Sequence, residues 1–127
     1  MFSHVVVGTN DLERAKQFYD AVLGTLGYGK GLLRAIGDYI YLSDNAVFIV
    51  TRPLDGRPAT PANGGTIGFT CQSTEQVEAL HAVALANGGK SVENPPGVRD
   101  TEAGPLYLAY VRDPDGNKLC ALYRMPV

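Results

Sequence analysis

Few of the residues from which active sites are commonly built occur in this chain. It has two histidines and two cysteines in 127 residues, and no glycine-flanked nucleophile stands anywhere, so a Ser-His-Asp hydrolase has no foundation here. Cys71 and Cys120 both fall in strand-like stretches, which excludes a disulfide framework and predicts reduced, buried thiols. Charge of one sign is scarce as well. Eleven Lys and Arg stand against 13 Asp and Glu, scattered along the chain for a net charge of −2, so nucleic acid is not an expected partner. No apolar stretch approaches the roughly 20 residues of a membrane span. The first strand begins almost at Met1 and leaves no room for a leader, so a cytoplasmic protein is expected. Low-complexity tracts and charge blocks are missing. Glycines cluster at residues 24–31, but they follow a helix pattern instead of preceding one, so no helix N-terminus faces an anion there.

What is present is a repeat. Residues 4–9 form a strand-like run that leads into an amphipathic helix pattern over residues 11–23, and residues 66–71 lead into a second one over residues 74–86. In the first helix Leu12, Ala15, Phe18, Tyr19, Val22 and Leu23 recur at helical spacing, and in the second Val77, Leu80, Ala84 and Leu85 do so, which predicts one buried face for each. Asn10 with Glu13, and Ser73 with Gln76, are the expected capping pairs. Gly24 and Gly27, then Gly88 and Gly89, stand at the two exits, where a left-handed residue is easily placed.

The strands that follow complete each unit. Residues 32–36, 38–42 and 46–51 read as three short strands, parted by turns at Gly37 and at Ser43-Asp44-Asn45. Residues 52–65 hold three prolines and three glycines without periodicity and form a connector. The second half repeats the order, with a short strand at residues 90–93, a loop at 94–105, and strands at 106–112 and 118–123. Between the last two, Asp113-Pro114-Asp115-Gly116 is the strongest local signal, a bulged hairpin turn in which Pro114 presets the first position and Gly116 takes the positive φ. The expected fold class is therefore α+β: two βαβββ modules, residues 1–61 and 62–127, forming a cupped, split eight-stranded sheet with the helices on its outer face. Neither module closes its own core, and the concave surface between them is the natural place for a site.

This pattern resembles the vicinal oxygen chelate superfamily, which includes glyoxalase I, the bleomycin and fosfomycin resistance proteins and extradiol dioxygenases. The resemblance spans the chain. It is carried by His4-Val5-Val6-Val7, by Thr9-Asn10-Asp11-Leu12-Glu13-Arg14-Ala15 with Phe18-Tyr19, and by Val111-Arg112-Asp113-Pro114-Asp115-Gly116-Asn117-Lys118. The connector residues Arg52-Pro53 and Arg57-Pro58-Ala59-Thr60, with Gly97-Val98-Arg99, further resemble a bacterial branch of small glyoxalase-like proteins. In the metal-dependent members the resemblance implies up to four ligands on the concave face. His4 stands at the first position, but Ile49, Thr66 and Cys120 occupy the other three. A Lewis-acid metal needs about three nitrogen or carboxylate donors and an open position, so no metal and no other cofactor is expected. A zinc shared by His4 and Cys120 with help from another chain is the disfavoured alternative.

Strand alternation puts His4, Thr66 and Cys120 on the cavity side if Val5, Val7, Ile67, Phe69, Leu119 and Ala121 face the helices. Tyr41 and Tyr107 are expected to offer rings and hydroxyls to a ligand, Tyr107 beside a lid at residues 94–105 that carries Arg99 toward an anion. Cys120 as a nucleophile activated by His4 is the weaker reading, because nothing orients the imidazole. His81 is read as a packing or interface residue paired with Glu78. The expectation is a small-molecule-binding protein with a degenerate metal site, its partner a small organic molecule. The resemblance adds a homodimer. The alternatives are a metal-dependent lyase, isomerase or dioxygenase around His4, and an interaction module with a vestigial cavity.

Overall fold

Alternation in the first strand decides which surface meets the helices. Val5 and Val7 pack into the core while Val6 between them is half exposed, the division that a pleated strand imposes on neighbouring side chains. In the computed structural model, which describes residues 1–44 and 46–126, that strand is β1 (Val5–Gly8), followed by α1 (Leu12–Gly24), β2 (Leu32–Leu33), β3 (Tyr39–Leu42) and β4 (Val47–Thr51). The second half contains β5 (Ile67–Thr70), α2 (Thr74–Ala86), β6 (Lys90–Thr101), β7 (Gly104–Arg112) and β8 (Lys118–Arg124). The strands form two four-stranded sheets, ordered β1-β4-β3-β2 and β5-β8-β7-β6. In each, the strand before the helix pairs in parallel with the last strand of its unit, and the other pairs are antiparallel. Asn45, assigned to a turn by the sequence, lies outside the described residues.

One core serves both sheets. The buried faces of α1 and α2 are the predicted ones, except that Leu85 is 41% exposed. Tyr19, Tyr41 and Phe48 cluster under α1, and Phe48 reaches Phe69 of the second sheet at 5.8 Å between ring centroids, within the range where aromatic pairs attract. Helix entry differs from expectation at α1. Asp11, not Asn10, is the N-cap, accepting from the Arg14 amide at 3.0 Å. Asn10 is committed to the connector, where its Oδ1 accepts from the Ala59 amide and its Nδ2 donates to the Ala59 carbonyl. At α2, Ser73 caps as predicted.

Two strand boundaries also depart from the sequence reading. The strand expected over residues 32–36 stops at Leu33, because a turn with Gly37 at φ 95° takes over and Arg34 pairs its amide with the Asp38 carbonyl. The loop expected at residues 94–105 is a β-hairpin: β6 runs to Thr101 and pairs with β7 on both sides of a bulge between Val92 and Gly97. The bulge holds Glu93 at φ 61° and passes Pro95 and Pro96 where the ladder needs no donor. The segment expected as a loop is therefore paired strand up to Thr101.

The hairpin turn joins the two units. Gly116, at φ 95°, donates to the Asp113 carbonyl, and the Asp113 amide donates to Asn117, as the turn chemistry predicts. Asp115 then accepts from the Thr9 hydroxyl at 2.5 Å, the Asn10 amide at 2.9 Å and the Arg14 guanidinium at 2.9 Å. Asp113 accepts from the Tyr19 hydroxyl at 2.6 Å, and Asn117 Nδ2 donates to the Gly8 carbonyl. These two carboxylates hold the start of the first unit against the end of the second.

Two other carboxylates, Asp38 buried and Asp20 half-buried, make the fold acid-sensitive. Asp38 accepts both arms of the Arg34 guanidinium, at 2.6 and 2.7 Å, and that donor pair, aided by Thr51 against the opposing effect of burial, holds its carboxyl below the usual range. For Asp20, burial pushes the other way but is outweighed by the Gly31 amide, Lys16 and the Tyr41 hydroxyl, so its carboxyl also lies low. Folded values below the unfolded value of about 4 mean that this stability is full above that pH and is lost as pH falls through the depressed values. Thermal melts from pH 7 to pH 3 should show a falling midpoint below about pH 4. Asp38→Asn should reduce that acid-dependent part, and an unchanged profile would refute the assignment.

Candidate functional site

The concave face of the first sheet opens into a bay of about 1000 Å³. Its floor is Val6, Gly8 and Thr51, one wall is the turn from Arg34 to Asp38, and the other is the connector from Arg52 to Thr60. A second recess of about 520 Å³ lies around His4, between Val47 and Phe48 on one side and Ile67 to Thr70 on the other, with Leu26 and Tyr28 at its rim. Edge strands β1 and β5 bound that recess, which is why side chains of both sheets reach it.

His4 is exposed at this second recess, its Nδ1 2.7 Å from Ser3 Oγ. Thr66 is exposed one residue before β5. Cys120 stands on β8 between Gly68 and Tyr110 in the register and is only 4% exposed. Burial pushes its thiol up, more than the Tyr110 hydroxyl pulls it down, so it is a neutral thiol near pH 7 and a poor nucleophile. Cys71 is likewise buried, free and raised by burial.

The tyrosines fall on the opposite face from the expected one. Tyr41 is fully buried and donates to Asp20 at 2.8 Å, beneath α1. Tyr107 donates to Glu78 of α2 at 2.5 Å. Both rings therefore belong to the sheet-helix layer and not to the concave surface. Glu78 is thereby engaged with Tyr107, and His81 instead places Nε2 2.9 Å from Ser91 Oγ. Burial pushes the His81 imidazole down, opposed by Glu78. Arg99 sits within β6 and donates to the carbonyls of Asn94 and Pro95, closing the bulge.

The tyrosine on the concave side of the second sheet is Tyr110, alternating with core residues Ala109 and Val111 and lying opposite Cys120. Lys118 lies over its ring, 4.6 Å from the centroid, and forms an ion pair with Glu93. The sequence offered one signal for it: Tyr110 and Val111 cannot share a face, and Val111 is the better core residue.

These residues do not fit the metal of the metal-dependent relatives. Ile49 is buried between Val6 and Ile40 in the register, Cys120 is held as a thiol, and His4 is the single imidazole. Among the described residues, no three His, Cys, Asp or Glu side chains gather at a metal-binding distance. No helix among them is long and apolar enough to cross a membrane.

Comparison with known proteins agrees with the fold. The chain is 58% identical to a glyoxalase/bleomycin resistance protein from Albidiferax ferrireducens T118, with a TM-score of 0.94 over 98% of this chain and 99% of that one. The fold is shared with a glyoxalase/bleomycin resistance protein/dioxygenase family enzyme from Burkholderia phytofirmans PsJN, at 20% identity and TM-score 0.74 over 97% and 98% of the two chains. It is also shared with a glyoxalase-related enzyme from Fulvimarina pelagi, at 18% identity and TM-score 0.73 over 98% and 88%. No curated protein matches. The model of the Glyoxalase/Bleomycin resistance protein/Dioxygenase superfamily matches residues 1–121, and the chain belongs to that superfamily.

Proposed function

We propose that this protein binds a small organic molecule on its concave sheet surface, without a resident metal, as a cytoplasmic homodimer. The observation that carries this reading is the open bay on the first sheet. It is large enough for a compact organic ligand, and its floor keeps an apolar residue, Val6, 47% exposed. The donor set argues the same way, since isoleucine, threonine and a neutral thiol stand where the metal-dependent relatives place ligands. Exposed Leu32, Ile36 and Leu42 around the same sheet support a second copy that walls the bay, because monomers seldom leave such side chains grouped.

Native mass spectrometry of the purified protein tests the homodimer and the metal-free state at once. The expected species has twice the 13.6 kDa chain mass and carries no metal. Thermal melts with zinc, nickel, manganese or iron(II) should not shift. A tightly held ion present at a hundredfold excess over its Kd would add about 2.7 kcal/mol, a rise of several degrees. Stoichiometric metal together with such a shift would overturn the reading in favour of a metal-dependent enzyme centred on His4.

A further inference from the structure

We propose that the bay on the first sheet selects an organic anion, with Arg52 and Arg57 gripping its oxyanion head and the apolar floor taking its body. This deepens the small-molecule reading and rests on it. The argument starts from which arginines are committed. Arg14 is held by Asp115, Arg34 by Asp38, Arg99 by two carbonyls of the bulge, and Arg112 by the Gly116 carbonyl. Among the described residues, the guanidiniums of Arg52, Arg57 and Arg124 have no such acceptor, and of these residues Arg52 and Arg57 line the bay. Both also line the smaller recess beside it, with Thr9 and Asn10.

Charge supports an anion at this place. Three arginines and two aspartates line the bay, although the whole chain is at −2. Arg34 and Asp38 neutralise each other, while Asp55, which accepts from the Arg57 backbone amide at 3.0 Å, keeps its charge, so the bay stays net positive with two guanidiniums against one carboxylate. Two planar guanidinium forks remain, the side chain best suited to carboxylate or phosphate oxygens.

The loop that carries them is held in place. Residues 52–66 contain neither helix nor strand, and a connector of that length in a compact domain is either functional or a plain linker. It is pinned by the Gly56 amide on the Pro53 carbonyl, by the Asp55 carboxylate on the Arg57 amide, and by both Asn10 contacts to Ala59. Gly56 takes φ 73° to make the turn between the two arginines. Arg52 and Arg57 are thus presented from a fixed turn toward the same space as Val6, Ile36 and Leu54, all of them exposed. A charged head with an apolar body matches this arrangement, and a neutral apolar molecule leaves both guanidiniums unused.

The test uses benzoate, phenylphosphonate and the neutral benzyl alcohol as probes, read by amide NMR shifts and calorimetry on the full chain. At least one anion should bind with shifts at Val6, Gly8 and Thr51, and benzyl alcohol should bind about tenfold more weakly or less. Preference between the anions separates a carboxylate from a phosphate-type ligand. Affinity should fall with added salt. The R52Q/R57Q double variant should lose about tenfold or more in anion affinity, while its melting temperature stays unchanged because exposed guanidiniums contribute little to stability. R124Q, remote from the bay, should bind as the parent does. Anion affinity retained in the double variant would overturn the assignment, as would equal affinity for benzyl alcohol, and in either case binding at the bay would survive. No shift at the bay with any probe would sink both readings.

Discussion

Asp113→Ala is expected to destabilise the protein by about 3–5 kcal/mol, because it strands buried donors at about 1–3 kcal/mol each. The Asp113 carboxylate accepts from four groups: the Tyr19 hydroxyl, Asn117 Nδ2, and the amides of Asp115 and Asn117. Alanine leaves the buried Tyr19 hydroxyl and Asn117 amide without an acceptor, while Asn117 Nδ2 keeps the Gly8 carbonyl, and each orphaned group adds its own desolvation penalty. The same change frees Tyr19, whose hydroxyl is pushed well above its ordinary value first by burial and then by this carboxylate. Tyr19→Phe removes a single donor and should cost only about 1–2 kcal/mol. Against a total stability of about 5–15 kcal/mol, the alanine variant should lose a large share of its urea midpoint, with the phenylalanine variant between it and the parent. If Asp113→Ala cost no more than Tyr19→Phe, the carboxylate would not be the clasp between the two units.

The turn that carries Asp113 was legible in the sequence, and its clasp was not. Pro114 and Gly116 announce a hairpin from local φ preferences alone. The partners of the two carboxylates lie 94 residues away at Tyr19, and 106 and 101 residues away at Thr9 and Arg14, beyond any local rule. The faces of the strands divided in the same way. In β1 and β5 an apolar set alternates with small or exposed residues, so the pattern chose the core side correctly. In β3 the order Tyr39-Ile40-Tyr41-Leu42 alternates two apolar sets, and binary patterning cannot rank them. Tertiary context decided. Asp20 and Glu13 on α1 supply acceptors for the Tyr41 and Tyr39 hydroxyls, so the tyrosines turn to the helix and the aliphatics take the concave face. Pro95 and Pro96 concealed the continuation of β6 beyond residue 93, because a proline argues against a strand unless a bulge receives it. The connector arginines were visible as letters, but their exposure into a common bay depended on Asn10 leaving its expected capping role to hold Ala59.

Gly89→Ala should cost about 3 kcal/mol, at the upper end of ordinary overpacking, and more than Gly88→Ala. Conformation alone ranks them the other way, since Gly88 ends α2 at φ 94°, where alanine is strained by about 1–2 kcal/mol. Space reverses the order. A Cβ on Gly88 meets only Pro114 Cγ, at an ordinary 3.5 Å. On Gly89 it would lie 2.8 Å from the Ala84 carbonyl oxygen, 2.9 Å from that of Arg112 and 2.9 Å from Phe18 Cε2. Two of these are backbone atoms, one at the end of α2 and one at the end of β7, and the third belongs to a fully buried ring. The Gly89 amide also donates to that same Ala84 oxygen at 2.8 Å, so backing away from the clash stretches the hydrogen bond that closes the helix. Urea melts of both variants, with equal m-values, decide the ranking. Phe18→Leu in the Gly89→Ala background should recover only part of the loss relative to its own single variant, because the two carbonyls cannot be trimmed. A larger loss at Gly88 would mean that backbone conformation, and not the close approach of α2 to β7, governs this corner of the fold.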